Sequence, residues 1–353
     1  MSDFVNEHTV TRDEEIGAPL RAAPHVVLLG AGASRAALPD GDLRGRAVPL
    51  LQEVAKELNL ARLFPNDLRD LARTGFEAAY SRLWDRGAHL TGDINAAVFE
   101  YFAQLELPIE PTIYDCMLLS LRDKDAIFTF NWDPFLFDAL IRVRKAGVDS
   151  LPTVWFLHGN VAVGHCETHD QVRGRPGGSC SHCGRTLEAS PLLFPVEKKN
   201  YQDGSIIERE WAAARKYLEQ AFMFTIFGYS APATDVEAKE LLQQGWGDSQ
   251  QRSMEQTEII NRPGADHDEL RRTWAPFIHT HHYEIHGSFF DSWMARHPRR
   301  TCEAFFNQYV EGNFIEDNPI PRDVNTVQGL AGWSEPLFAA ERRYVELLSD
   351  TSD

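Results

Sequence analysis

The feature that most constrains this chain is the run Val26-Val27-Leu28-Leu29-Gly30-Ala31-Gly32-Ala33-Ser34. Four successive apolar residues, two of them β-branched, suit a strand buried on both faces. Two glycines break the run and small residues follow, which is how a parallel strand turns sharply into a helix. At such a turn, backbone N–H groups and the positive helix end can face a pyrophosphate. A full dinucleotide fingerprint would carry glycine at 35, where Arg35 stands, and an acidic residue ending a strand ~20 residues later, which is missing. The run predicts strand, tight turn and helix at the centre of an α/β sheet, and it argues against an ordinary dehydrogenase.

Other short β-branched or aromatic runs predict strands over His25–Leu29, Ala126–Phe130, Thr153–Leu157, Ala221–Phe227, Thr257–Asn261 and His282–His286, separated by helical stretches. The fold class read from this pattern is α/β: a Rossmann-like, mainly parallel sheet with helices on both faces, a helical insertion and a small zinc-binding insertion. About a hundred residues between the first two strands read as helix: Leu50, Leu51, Val54 and Leu58 follow helical spacing, as do Ile94, Val98, Phe102 and Leu105. The expected organisation is an N-terminal extension over 1–22, a catalytic domain over 23–318 and a C-terminal extension over 319–353. The helical insertion lies at about 48–121 and the zinc module at about 161–190. Gly245–Glu255 reads as a polar loop, and Pro336–Leu348 as a terminal helix.

Charge narrows the partners. With 35 basic against 52 acidic residues, the formal net charge of -17 repels phosphate backbones, so direct nucleic-acid binding is not expected. The polar, acidic start predicts no secretory signal, and no apolar run reaches the ~18 residues of a membrane span. Five cysteines, an odd number, then argue for a reducing, cytoplasmic setting.

Two further strand ends carry polar side chains. Thr129-Phe130-Asn131-Trp132-Asp133 closes one apolar strand before Pro134, and Phe156-Leu157-His158-Gly159-Asn160 closes the next. Open α/β sheets place ligand contacts at the carboxyl ends of their strands, and a histidine there titrates in the range of a general base. The bland alternatives are that Asn131 or Asp133 caps the helix beginning at Pro134, and that a lone histidine is structural.

Taken in order, these segments resemble the sirtuin family. Gly30-Ala31-Gly32-Ala33-Ser34 is similar to its phosphate loop, Thr129 to Asp133 to its Thr-x-Asn-x-Asp segment, and His158-Gly159 to its catalytic His-Gly. Gly228-Tyr229-Ser230 is similar to its later Gly-x-Ser, and Asn261 to its adenosine-side asparagine. The resemblance spans roughly residues 23–295. It is closer to the bacterial sirtuin-like branch, through Asn131-Trp132-Asp133, through Phe227 to Ser230 followed by Asp235, and through Pro191 to Pro195 before Lys198-Lys199-Asn200-Tyr201. One stretch departs from the deacetylase pattern: Ala37-Leu38-Pro39-Asp40-Gly41-Asp42-Leu43-Arg44 stands in place of Gly-Ile-Pro-Asp-Phe-Arg. The counterparts of the nicotinamide-pocket Asp and Arg stay open, and Pro49 is a second choice for the aligned proline.

The resemblance implies an NAD+ hydrolase of anti-phage defence that cleaves the nicotinamide–ribose bond, with Asn131 and His158 as catalytic residues. Gly30, Ala31, Gly32, Ala33, Ser34, Thr129, Asp133, Gly228, Ser230 and Asn261 would then contact NAD+. The alternatives are an NAD-dependent protein deacylase or ADP-ribosyltransferase, and a non-catalytic subunit that senses NAD or ADP-ribose. It also implies a homo-oligomer, and a second defence component such as a ring ATPase or an Argonaute-like protein.

Cys166-x-x-His169 and Cys180-x-x-Cys183 form two chelating pairs in a Gly-rich segment, which suits one structural tetrahedral Zn2+. His165 and His182 are alternative nitrogen ligands. His279, His281, His282 and His286 are read as a strand leading into a helix at Ser288 and not as a second metal site.

Overall fold

The computed structural model describes residues 9–169, 172–194, 206–231, 235–248, 252, 254–279 and 281–350. Six strands form the main sheet: β1 (His25–Leu29), β2 (Ala126–Thr129), β3 (Thr153–Phe156), β4 (Met223–Phe227), β5 (Gln256–Ile260) and β6 (Tyr283–His286). All pair in parallel, in the spatial order β3-β2-β1-β4-β5-β6. The chain therefore starts in the middle, runs out to one edge, returns, and runs out to the other. That doubly wound order leaves a crevice at the carboxyl ends of β1 and β4, where the winding reverses. Leu29 pairs with Thr129 on one side and Phe227 on the other, so the ends of the three central strands lie level.

Alternation along β1 explains the layers. Val27 and Leu29 pack into one apolar core with α1 (Ala31–Ala37), α2 (Leu51–Glu57), α3 (Arg69–Thr74), α4 (Phe76–Arg86), α5 (Gly92–Ala103), α6 (Ile113–Ser120) and α7 (Phe135–Lys145). Val26 and Leu28 point the other way, into a core with α8 (Ile206–Gln220), α9 (Val236–Trp246) and α10 (His267–Trp274). Ile94, Val98, Phe102 and Leu105 are buried, as their spacing predicts. No helix among the described residues is long and apolar enough to cross a membrane.

Five of the six strands start or stop one or two residues from the bounds read from sequence, and three other boundaries differ as well. The last helix, α11, covers Val327–Asp350 and runs through Pro336 where the sequence reading begins it. Proline is a helix-start signal, but burial of Val327 and Leu330 holds the nine residues before it in the same helix. Gly245 and Trp246 belong to α9, because the Trp246 ring is buried there, so the polar loop begins at Gly247. After β6 the chain makes a 3-10 turn, Phe289–Asp291, capped by the Ser288 hydroxyl, and a short α-helix begins only at Trp293.

β3 is an edge strand, and its outer backbone groups are covered. The Phe156 N–H donates to Glu210 of α8 at 2.7 Å, and the Val154 carbonyl accepts from Arg173 at 2.9 Å. Arg173 pairs with Glu210 at 2.7 Å and lies over the Trp155 ring. It comes from a small antiparallel sheet of Arg173–Gly174, Gly164–His165 and Glu188–Ala189.

Candidate active site

The turn after β1 is built by backbone contact with the turn after β4. Gly30 donates its N–H to the Phe227 carbonyl at 3.0 Å, and Gly32 donates to Gly228 at 2.9 Å. Gly228 has φ +65, and a Cβ there would lie 2.2 Å from the Ala33 nitrogen. These glycines are needed for the close approach. The returning β4 loop thereby takes the N–H groups of Gly30 and Gly32.

Ser34, one turn into α1, is fully buried and is the hub of a hydrogen-bonded cluster. Its hydroxyl donates to Asp133 Oδ2 at 2.6 Å and lies 2.6 Å from the Tyr114 hydroxyl. Asn131 Nδ2 donates to Ser34 Oγ at 2.9 Å and to the Gly30 carbonyl at 2.9 Å, with Tyr114 Oη 3.4 Å away. A carbonyl only accepts, so the Gly30 contact fixes which end of the Asn131 amide is nitrogen. The remaining Oδ1 is the atom Asn131 can offer to a ligand.

Thr129 and Asp133 are turned inward. Thr129 Oγ1 accepts from the Asn131 N–H at 3.0 Å, and Asp133 Oδ1 accepts from Phe135 at 3.3 Å while remaining 4 % exposed. Burial pushes the Asp133 carboxyl up to about 6 against the pull of Ser34, and burial likewise lifts the Tyr114 phenol well above its ordinary range. Asn160 ties the third strand end to the second: its Nδ2 donates to the Asp133 carbonyl at 2.6 Å and to the Asn131 carbonyl at 3.2 Å.

His158 follows β3, next to the strand that carries Asn131. It is buried, and its ring centre lies 4.6 Å from that of Phe130, whose own lies 4.4 Å from Tyr229. Gly159 beside it has φ +75, and a Cβ there would meet the Pro191 carbonyl at 1.8 Å. The Tyr229 hydroxyl donates to Asp235 at 2.8 Å, and Ser230 is exposed at the rim. Asn261 directly follows β5, two strands from β1, with its side-chain oxygen accepting from Arg262 N–H at 2.7 Å. Trp132 points away from Asn131, into rings of Phe102 and Phe194 at 5.9 and 4.9 Å. Lys198, Lys199, Asn200 and Tyr201 lie outside the described residues.

In the departing stretch, Asp42 is buried and accepts from the Arg44, Arg46 and Glu106 N–H groups, so it holds a turn. Arg44 is exposed and pairs with Glu106. Asp40, Pro39, Leu38 and Arg35 line a cavity of about 410 Å3.

The four residues expected to hold zinc converge. One ligand atom from each of Cys166, His169, Cys180 and Cys183 lies within 4.8 Å of the others. Cys166 Sγ is 3.6 Å from both His169 Nδ1 and Cys183 Sγ, and Cys180 Sγ is 3.6 Å from the same nitrogen. Bonds of about 2.3 Å at tetrahedral angles put ligands roughly 3.8 Å apart, so the set fits zinc closed on all four sides. The Thr168 hydroxyl, with other hydrogen bonds, lowers the Cys166 thiol to about 5, which favours the thiolate a metal needs. His182 stacks on His169 outside the set, and His165 is not in it. His286 is engaged with Glu258 and Glu284 at 3.3 and 3.1 Å, and the four-residue Cys/His set is the one metal-competent group among the described residues.

Sequence reasoning missed Tyr114 and gave Asn160 no role. Nothing in Ile113–Ser120 marks Tyr114, whereas Asn160 stands beside His158-Gly159 and could have been weighed.

No protein-family model matches this chain, and no curated protein matches it. Solved structures that are similar include a mutant Sir2 homologue with ADP-ribose, at 15% identity over 83% of this chain and 96% of that one, TM-score 0.37. A Sir2 homologue in complex with NAD is 16% identical over 83% and 93% of the two chains, TM-score 0.35. A third, described as a structural basis for the mechanism and regulation of Sir2 enzymes, is 14% identical over 82% and 94%, TM-score 0.37.

Proposed function

We propose that this protein is an NAD+ glycohydrolase that cleaves the bond between nicotinamide and ribose, in the manner of the sirtuin-like defence proteins its motifs resemble. The observation that supports this reading is that the Gly30–Ser34 turn and Asn131 are hydrogen-bonded to each other at the carboxyl ends of β1 and β2, with His158 just beyond the end of the neighbouring β3, beside the point where the winding reverses. NAD+ would lie extended across those strand ends, with Gly228, Ser230 and Asn261 on the adenosine side.

The chemistry asks little of the protein. As the C–N bond breaks, its electron pair leaves with nicotinamide and the ribose becomes oxocarbenium-like. Asn131 Oδ1 would hold water near the anomeric carbon. The water oxygen then bonds to that carbon, and its proton passes to His158. Rate comes from positioning and from stabilising the spreading positive charge. Zinc, held by Cys166, His169, Cys180 and Cys183, would supply structure only, since a closed tetrahedral site has no open position.

The deciding experiment is incubation of the purified protein with NAD+, with and without an acetylated peptide. Nicotinamide and ADP-ribose formed without peptide support the reading. Strict peptide dependence would move the protein to the deacylases or ADP-ribosyltransferases, and binding without turnover to the sensors.

A further inference from the structure

Tyr114 lies in the helical stretch between β1 and β2, yet its hydroxyl sits 2.6 Å from Ser34 Oγ and 3.4 Å from Asn131 Nδ2. Its placement is rigid. Asp115, the next residue, caps α6 by accepting from the Thr112 N–H at 2.7 Å, and Arg142 of α7 grips the same carboxylate. α7 itself begins directly after Asp133 and Pro134.

The hydrogen count in this cluster has one consistent solution when Asp133 is ionised. Ser34 has a single hydroxyl hydrogen, which goes to the carboxylate. Its two lone pairs then accept from Asn131 Nδ2 and from Tyr114, and every polar hydrogen has an acceptor. Protonating Asp133 reverses the chain: Asp133 donates to Ser34, Ser34 donates to Tyr114, and the Tyr114 hydrogen is left without an acceptor in the cluster. An unmade buried hydrogen bond is costly, so the Tyr114 hydroxyl favours the ionised arrangement.

Resting on the NAD+ hydrolase reading, we propose that Tyr114 is a positioning residue for that reaction: acting through Ser34, its hydroxyl holds Asn131 and Asp133 in one proton arrangement and links the helical segment to the strand end that faces NAD+. The titratable groups bearing on Asp133 are Tyr114 from α6 and Asp138 from α7, the latter paired with Arg175 of the small sheet. Tyr114 touches neither the reacting atoms nor the water. Its effect is felt as the alignment of Asn131 Oδ1.

The test compares Tyr114→Phe with Tyr80→Phe across pH. Tyr80 is equally buried in the same helical segment, and its hydroxyl donates to Asn95 at 2.7 Å, outside the cluster. In Tyr114→Phe, kcat should fall roughly 10- to 100-fold with a smaller change in KM. The acid limb of kcat/KM should also move to higher pH, because protonated Asp133 no longer strands a hydrogen. Tyr80→Phe should leave that limb in place. Wild-type turnover with an unmoved limb in Tyr114→Phe overturns the inference alone, as do equal losses in both variants with no shift. A wild-type protein that neither binds nor cleaves NAD+ overturns the hydrolase reading and takes this inference with it.

Discussion

The Ser34 hydroxyl lies 2.6 Å from the Asp133 carboxylate, so the helix leaving β1 is bonded to the loop leaving β2. Neighbouring strand ends in this sheet are thus fixed to each other by side chains as well as by the ladder beneath them. Asn131 shares that contact, and its removal should be felt in both stability and chemistry.

Asn131→Ala and His158→Ala are each expected to lower NAD+ cleavage by about 10²–10⁴-fold, the usual cost of losing a base or a water-positioning group. Asn131→Ala should also lower the thermal midpoint, because the Gly30 carbonyl and Ser34 lose a donor, at about 1–3 kcal/mol. Steady-state kinetics and calorimetry on the folded variants check both effects. Near-normal turnover in either would remove the role assigned to it.

Protein purified without added metal should contain one zinc per chain. A Cys180→Ser, Cys183→Ser double variant should lose it, since two of the four converging ligands are gone. Metal analysis settles the point, and full zinc retention in that variant would refute the ligand set.

A buried row of polar groups crosses β4, β5 and β6. Glu258 accepts from the Thr225 hydroxyl at 2.7 Å and the Trp293 N–H at 2.8 Å, and faces His286. Burial opposes a charged imidazole, but hydrogen bonds and charge from Glu258 and Glu284 outweigh it and lift His286 to about 9. A raised folded value stabilises fully below the ordinary 6.5 and is lost as pH rises through 9. Wild-type stability should therefore decline between those values, by at most about 3 kcal/mol, and His286→Gln should flatten the decline. Parallel slopes in the two proteins would show that another group titrates there.

On the hydrolase reading, an enzyme that hydrolysed NAD+ freely inside a cell would exhaust its host. The isolated chain is therefore expected to be a homo-oligomer with low basal activity, raised by a partner or a change of assembly. Trp132, packed on Phe102 of α5, and Tyr114 of α6 give the helical segment two holds on the Asn131 loop. Kinetics and sizing over a concentration series test this, and a fully active monomer at every concentration would end the idea.

What was legible in the sequence depended on how local the cause was. The strands could be read because runs such as Val26–Leu29 are apolar on both faces, which the two-sided sheet requires. The Cys/His cluster could be read because chelating pairs have short, fixed spacing, although only the folded hairpins bring His169, and not His165 or His182, within reach of the three cysteines. Tyr114 could not be read. Its importance comes from an 80-residue separation closed by packing, and an isolated Tyr in an apolar helix looks like any core residue. The fate of the Gly30 and Gly32 N–H groups was equally hidden, since their acceptors lie about two hundred residues away in the β4 turn. The start of α11 was misplaced because a local proline rule lost to burial.

The covering of β3 by Arg173 and Glu210 gives the metal module a second significance. A bare strand edge is a template on which another chain can grow, and here the arginine half of the guard hangs from the small sheet beside the Cys/His cluster. Chelation should therefore loosen the guard before it melts the sheet, and the first visible symptom should be oligomers that scatter light while the far-ultraviolet spectrum stays native. A zinc-free preparation that remained monodisperse would show that the arginine and glutamate hold the edge unaided.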